Sequence, residues 1–285
     1  MIPQRNISLL SNRLAAGGGR RIREDVLERD YCLAWFLSAL SESELRQVFA
    51  FKGGTALKRC YFSDYRFSED LDFTSRQQLA FEQIRDHLER VYAIAHENSG
   101  ITFVFDRQDR QTDANSYTFY LRYVGPLPAG NDVKVDITIN ERLTFPLRDR
   151  LILRGYEEFA DLPEARFIDA YSLEEIAAEK TVALADPARN EPRDLYDLWY
   201  LTSDGRDRNG SFDSCDLREI GISRQILPRT PTGNCAERSA TRGAVDQKTR
   251  PPDGFAAAVR AGVQSIAQDT SPGRLALNRV ARSSK

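Results

Sequence analysis

Residues 51–73 run FKGGTALKRCYFSDYRFSEDLDF, with two glycines and a threonine at one end and two aspartates a single residue apart at the other. VFAFK (48–52) has the composition of a strand, Gly53-Gly54 ends it, TALKRCYF (55–62) starts a helix, and RFSEDLDFTS (66–75) is a second strand. Successive side chains of a strand alternate faces. Leu71 and Phe73 therefore point into a core, while Asp70, Asp72 and Thr74 point away from it. The same alternation in DVKVDITINE (132–141) turns Val133, Val135, Ile137 and Ile139 inward and Lys134, Asp136, Thr138 and Asn140 outward. If the two strands are neighbours, Asp136 joins Asp70 and Asp72. Three such carboxylates repel one another unless a cation neutralises them, and an all-oxygen ligand set suits Mg2+ or Mn2+. Any single Asp-x-Asp is more often an ordinary solvated sheet face. The glycines shift that balance, because a strand-to-helix turn lets backbone N–H groups approach a phosphate.

Working outward, REDVLERDYCLAWFLSALSESELRQVF (23–49) opens with helical spacing, and from Tyr31 to Leu40 only Ser38 is polar, which marks a buried helix. Ser43 is a candidate N-cap of a short helix that follows. RQQLAFEQIRDHLERVYAIAHENSG (76–100) is a long amphipathic helix closed by Gly100. Strands are expected at 101–109, 116–125 and 132–141, then helices at 172–186 and about 192–203. The expected fold class is α+β, a mixed sheet with flanking helices followed by a helical unit.

The 51–73 stretch resembles the signature of the DNA polymerase β-type nucleotidyltransferases, and within them the AbiEii/AbiGii toxin family, which includes the MenT toxins. Gly53, Gly54, Thr55, Leu57, Arg66, Phe67, Ser68, Asp70, Leu71 and Asp72 carry the resemblance. LERDYCLAWFLSAL (27–40) and EEIAAEKTVALADPARNEPRDLYDLWYL (174–201) resemble the family's flanking motifs, so the likeness covers about residues 23–203. It implies a Mg2+-dependent enzyme that moves an NMP from an NTP onto an acceptor. Asp70 and Asp72 would hold metal, Asp136 would complete the second metal site, and Gly53, Gly54, Thr55 and Arg66 would bind the nucleotide. The implied acceptor is RNA, the 3′ end of tRNA, with translation blocked as a result. The implied setting is a toxin–antitoxin or phage-defence system with an AbiEi-type antitoxin as partner. Transfer to an antibiotic or protein hydroxyl, or a catalytically dead nucleotide- or antitoxin-binding module, stands as the alternative.

Helical geometry singles out two later residues. At about 100° per residue from Leu173, Ile176 falls at roughly 300°, Ala177 at 40°, Lys180 at 340° and Leu184 at 20°. Lys180 thus lies inside the apolar stripe, where a lysine must snorkel out or reach a cleft. The resemblance makes it a catalytic lysine that holds the triphosphate. Asp194, which the resemblance makes a catalytic residue that orients Lys180 or the acceptor, is flanked by core-facing leucines and needs a partner if buried; Lys180, Arg193 or a metal could serve. It also suits an N-cap after Pro192. Asp197, at the stripe's edge, reads as structural.

The totals exclude several classes. The 285 residues are 41% hydrophobic and 29% charged, with a net charge of −2, so nothing points to a strongly basic binder or a membrane protein. No apolar run approaches the roughly 18 residues of a membrane span, and MIPQRNISLL lacks the pattern of a secretion signal. Four scattered cysteines and two histidines leave little material for a disulfide framework, a zinc site or a Ser-His-Asp triad. A reduced, cytoplasmic protein is expected. The average hides a break. Residues 1–204 hold 26 basic against 34 acidic residues and 26 of the 28 aromatics, whereas 205–285 hold 14 basic against 8 acidic residues and two aromatics, Phe212 and Phe255. The chain is accordingly divided into a nucleotidyltransferase domain (1–170), a helical unit completing the site (171–204) and a basic tail (205–285). That tail is a disordered RNA-binding arm, a loose helical extension around 253–268, or, the favoured reading, a frameshifted terminus.

Overall fold

Phe49, Phe51, Leu71 and Phe73 are buried on one face of two adjacent strands, and their alternation with Lys52 and Asp72 organises the molecule around a sheet. The computed structural model describes residues 1–17, 21–109, 115–185 and 191–202. Helices α1 (Gln4–Ala16), α2 (Glu24–Ser41) and the short α3 (Leu45–Val48) lead into strand β1 (Phe49–Lys52). Helix α4 (Gly53–Ala56) follows directly and passes into a π-helical turn (Leu57–Tyr61). Next come β2 (Leu71–Ser75), α5 (Phe81–Ser99), β3 (Thr102–Gln108), β4 (Ser116–Val124), β5 (Asn131–Thr138), β6 (Arg148–Leu151) and β7 (Phe167–Ala170). Helices α6 (Leu173–Ala185) and α7 (Pro192–Thr202) complete the described elements.

The seven strands lie in the order β3-β4-β5-β2-β1-β7-β6. β2 runs parallel to β5 and β1 parallel to β7; the other neighbours are antiparallel. This is the mixed α+β architecture expected from the sequence. One face of the sheet is covered by α2 and α5, seen in ring contacts of Phe36 with Phe103 and of Phe81 with Phe119. Every residue of α2 from Asp30 to Leu40 is buried, as its nearly unbroken apolar run requires. A compact unit holds Met1–Ser172, and α6 and α7 belong to a second. Among the described residues no helix is long and apolar enough to cross a membrane.

Several expected boundaries move, each for a physical reason. The strand expected at 66–75 begins only at Leu71, because Thr55 Oγ1 donates to the Asp70 carbonyl and holds that end of the segment against α4. The helix expected from Thr55 starts at Gly53 and widens into the π turn, whose Leu57, Lys58, Arg59 and Cys60 are all buried. β5 stops at Thr138, ahead of Asn140, which takes φ 60°. The helix expected from 76 begins at Phe81, where the Ala80 N–H donates to Gln83 Oε1, and it ends at Gly100 as expected. Ser43 lies in the lead to α3 and its hydroxyl accepts from the Leu45 N–H, although Glu44 is the capping position. α1, β6 and β7 were not anticipated. The tail beyond 203 and the helix expected within it lie outside the described residues.

Candidate active site

One row of residues crosses the sheet on the face turned away from α2 and α5. Lys52 of β1 stands opposite Asp72 of β2, Asp72 opposite Asp136 of β5, and Asp136 opposite Thr118 of β4. The neighbour relation on which Asp136 depended is therefore met, and β2 and β5 are adjacent and parallel. In-register residues of adjacent strands share a face roughly 5 Å apart, so Asp72 and Asp136 flank one position on the sheet. Asp70 precedes β2 by one residue and is half-buried.

Gly53 makes room for this pair. Its φ is 76°, a conformation other residues adopt at a cost. A Cβ there would overlap the Asp72 carboxylate. A Cβ on Gly54 would come within 2.9 Å of Arg66 Nη2 and 3.1 Å of Ser68 Oγ, so Arg66 and Ser68 close over the glycine turn. Thr55 is buried, and its hydroxyl is given to the Asp70 carbonyl at 2.5 Å. It holds the acidic segment in place.

Asp136 is held on both oxygens: Thr118 Oγ1 donates to Oδ1 at 2.5 Å, and Lys134 Nζ donates to Oδ2 at 2.7 Å. Partial burial would lower the Lys134 pKa, but the Asp136 bond and the nearby Asp70 charge hold it above its ordinary value. In the next row outward, opposite Lys134, Tyr120 carries the Arg107 guanidinium over its ring at 4.0 Å. On the other side of the row, Glu141 Oε2 accepts from Lys52 Nζ at 2.7 Å, from Thr74 Oγ1 at 2.7 Å and from the Tyr171 hydroxyl at 3.1 Å. Lys134 faces outward as alternation requires, whereas Lys52, Thr118, Glu141 and Tyr171 are site residues not expected from the sequence. Strand register alone could have found Thr118. Glu141 lies beyond the strand, where alternation no longer predicts direction.

Mg2+ or Mn2+ fits the donor chemistry of Asp72 and Asp136, two carboxylates in register beside a glycine that leaves one of them clear of a Cβ. Among the described residues no three His, Cys, Asp or Glu side chains stand together as a ready-made metal cage. The three-carboxylate cluster is thus a register pair with Asp70 at its edge.

Within the second unit, Lys180 Nζ donates to Asp194 Oδ1 at 2.5 Å and lies 3.1 Å from Asp197 Oδ2. Burial alone would lower the Lys180 pKa; the charge of Asp197 and the bond to Asp194 outweigh it and raise the pKa. Asp194 is buried, as its leucine neighbours implied, and Lys180 is a partner. It is not the N-cap: α7 begins at Pro192, the position proline favours, and Asp194 lies within the first turn. Asp197 is completely buried and shares the lysine.

A family profile described as "Nucleotidyl transferase AbiEii toxin, Type IV TA system" matches residues 35–266. The match crosses position 204 and continues well past 203, where the resemblance drawn from motifs alone had ended. No curated protein matches the sequence. Among solved structures the chain is similar to MenT4, a nucleotidyltransferase toxin from Mycobacterium tuberculosis, with a TM-score of 0.57 and 19% identity, over 94% of this chain and 91% of that one. At that identity the likeness establishes the shared fold.

Proposed function

This chain belongs to the AbiEii nucleotidyl transferase toxin family, and from that premise we propose that it transfers an NMP from an NTP to an RNA acceptor, the 3′ end of tRNA. Such a tag would block aminoacylation and translation. The observation that carries the reading is the register pairing of Asp72 with Asp136 beside Gly53, which puts two carboxylates and a side-chain-free stretch of backbone in one place. Asp72 and Asp136, with Asp70 at the edge, would hold Mg2+, which when bound neutralises triphosphate charge and activates the acceptor hydroxyl. Gly53 and Gly54 let a phosphate approach the backbone, and Arg66, lying against Gly54, adds positive charge there. Lys180, the catalytic lysine the resemblance implies, would be a second cation for the triphosphate; within its own unit it is held by Asp194 and Asp197. A type IV antitoxin, AbiEi-type in the sequence reading, is the partner this function calls for, and the cytoplasm, where tRNA is aminoacylated, is the compartment.

The test incubates the protein with each α-labelled NTP and, separately, total tRNA, total protein or aminoglycosides. Label on tRNA that is abolished by Asp72→Ala, with the variant's far-UV spectrum unchanged, is the expected result. Label on protein or drug instead would move the acceptor to those classes. An Asp72→Ala protein that still labels tRNA would remove the site.

A further inference from the structure

Lys134 and Asp136 lie two residues apart on β5 and so share a face, and the strand itself fixes their approach. Thr118 donates to Oδ1 of Asp136 and Lys134 to Oδ2, so each oxygen already accepts one bond and an ammonium stands at Oδ2. Hydroxyls can stay beside a coordinated carboxylate. An ammonium cannot easily do so, because it and a divalent cation would compete for the same charge.

We infer that Lys134 is the site's internal counter-ion: its ammonium neutralises Asp136 in the metal-free protein and must release Oδ2 before a divalent cation can use it. The inference rests on the metal-binding reading given under Proposed function. Both side chains are partly exposed, Lys134 at 38% and Asp136 at 29%, so water can solvate each as the pair opens. The long flexible stem leaves the released ammonium close to the row, where a triphosphate or an acceptor phosphate could take it. Metal and nucleotide would then bind cooperatively, since nucleotide gives the displaced charge somewhere to go. Without nucleotide the protein would hold divalent ions weakly.

The test titrates Mn2+ into nucleotide-free protein and follows the paramagnetic resonance signal of the free ion. Lys134→Met should bind at least about tenfold more tightly than the native chain, because a positive charge leaves the ligand's own contact distance. Lys134→Arg should stay close to native, and Lys134→Met with Asp136→Asn should lose the gain. Equal affinity in the native and Lys134→Met proteins, or a gain that survives Asp136→Asn, would overturn the inference. If Lys134→Met does not fold, Lys134→Gln makes the same comparison. This readout needs no transfer, so it can fail while Asp72-dependent labelling of RNA stands, and the reverse also holds.

Discussion

At the scale of single residues, Gly53 carries the most consequence for its size. A left-handed backbone costs a residue with a Cβ about 1–2 kcal/mol, and here the Cβ would also overlap the Asp72 carboxylate. Gly53→Ala must therefore either push Asp72 out of register with Asp136 or strain the turn. The expected outcome is a protein that unfolds at lower urea, by at least about 1 kcal/mol, and has lost labelling even at temperatures where it is folded. Full activity with reduced stability would mean that Asp72 can turn aside without harm, and that the close approach is only a packing detail.

Among the elements, α1 shows how charge docks a helix the sequence reading did not foresee. QRNISLLSNRLAA buries Ile7, Leu10 and Ser11, too few apolar positions for a persuasive stripe. Arg13 compensates with a fork onto Glu158, both bonds 2.6 Å. The Arg13 hydrogen bond holds the Glu158 carboxyl below its ordinary value. A lowered folded-state pKa means the stabilisation is complete above the ordinary value of 4.5 and is lost as pH falls through the folded value. Glu158→Gln should accordingly melt below the native protein at pH 6, by the equivalent of about 1 kcal/mol or less since Arg13 is half exposed. The gap should close as the pH falls below the ordinary carboxyl value and through the lowered folded one. A gap that persists in acid would assign the difference to something other than this ion pair. The same scale shows what was legible. β1, β2, β5, α2 and α5 were readable because alternation, or a long apolar run, is written into them. α1, β6 and β7 were not: α1 docks through few buried positions and a long-range ion pair, and β6 and β7 are four-residue strands fixed by pairing with each other and with β1. The π turn was illegible for another reason: Lys58 and Arg59 look like surface residues, yet both are buried. Lys58 donates to the Tyr65 carbonyl and lies under the Phe67 ring, and Arg59 pairs with Asp30.

For the whole molecule, the amount of chain the second unit requires follows from the burial within it. The composition break near 204 favoured an unselected terminus, yet the family match runs to 266. The described part of the unit is two helices of 13 and 11 residues. Helices of that length are marginal in isolation, and their stability in proteins comes mostly from tertiary packing. Even so, Asp197 and Leu198 are fully buried there, and Lys180 is 12% exposed. Buried charged groups such as Lys180, Asp194 and Asp197 are costly to hold unless the surroundings stay fixed. Ending the chain after Ser203 should therefore loosen α6 and α7, seen as a red shift of Trp199 fluorescence against a Trp35→Phe background. The same truncation should abolish labelling, while the circular dichroism of the sheet unit persists. If the shortened protein instead labels its acceptor at the native rate with Trp199 unmoved, residues beyond 203 contribute nothing and the unselected-terminus reading is the correct one.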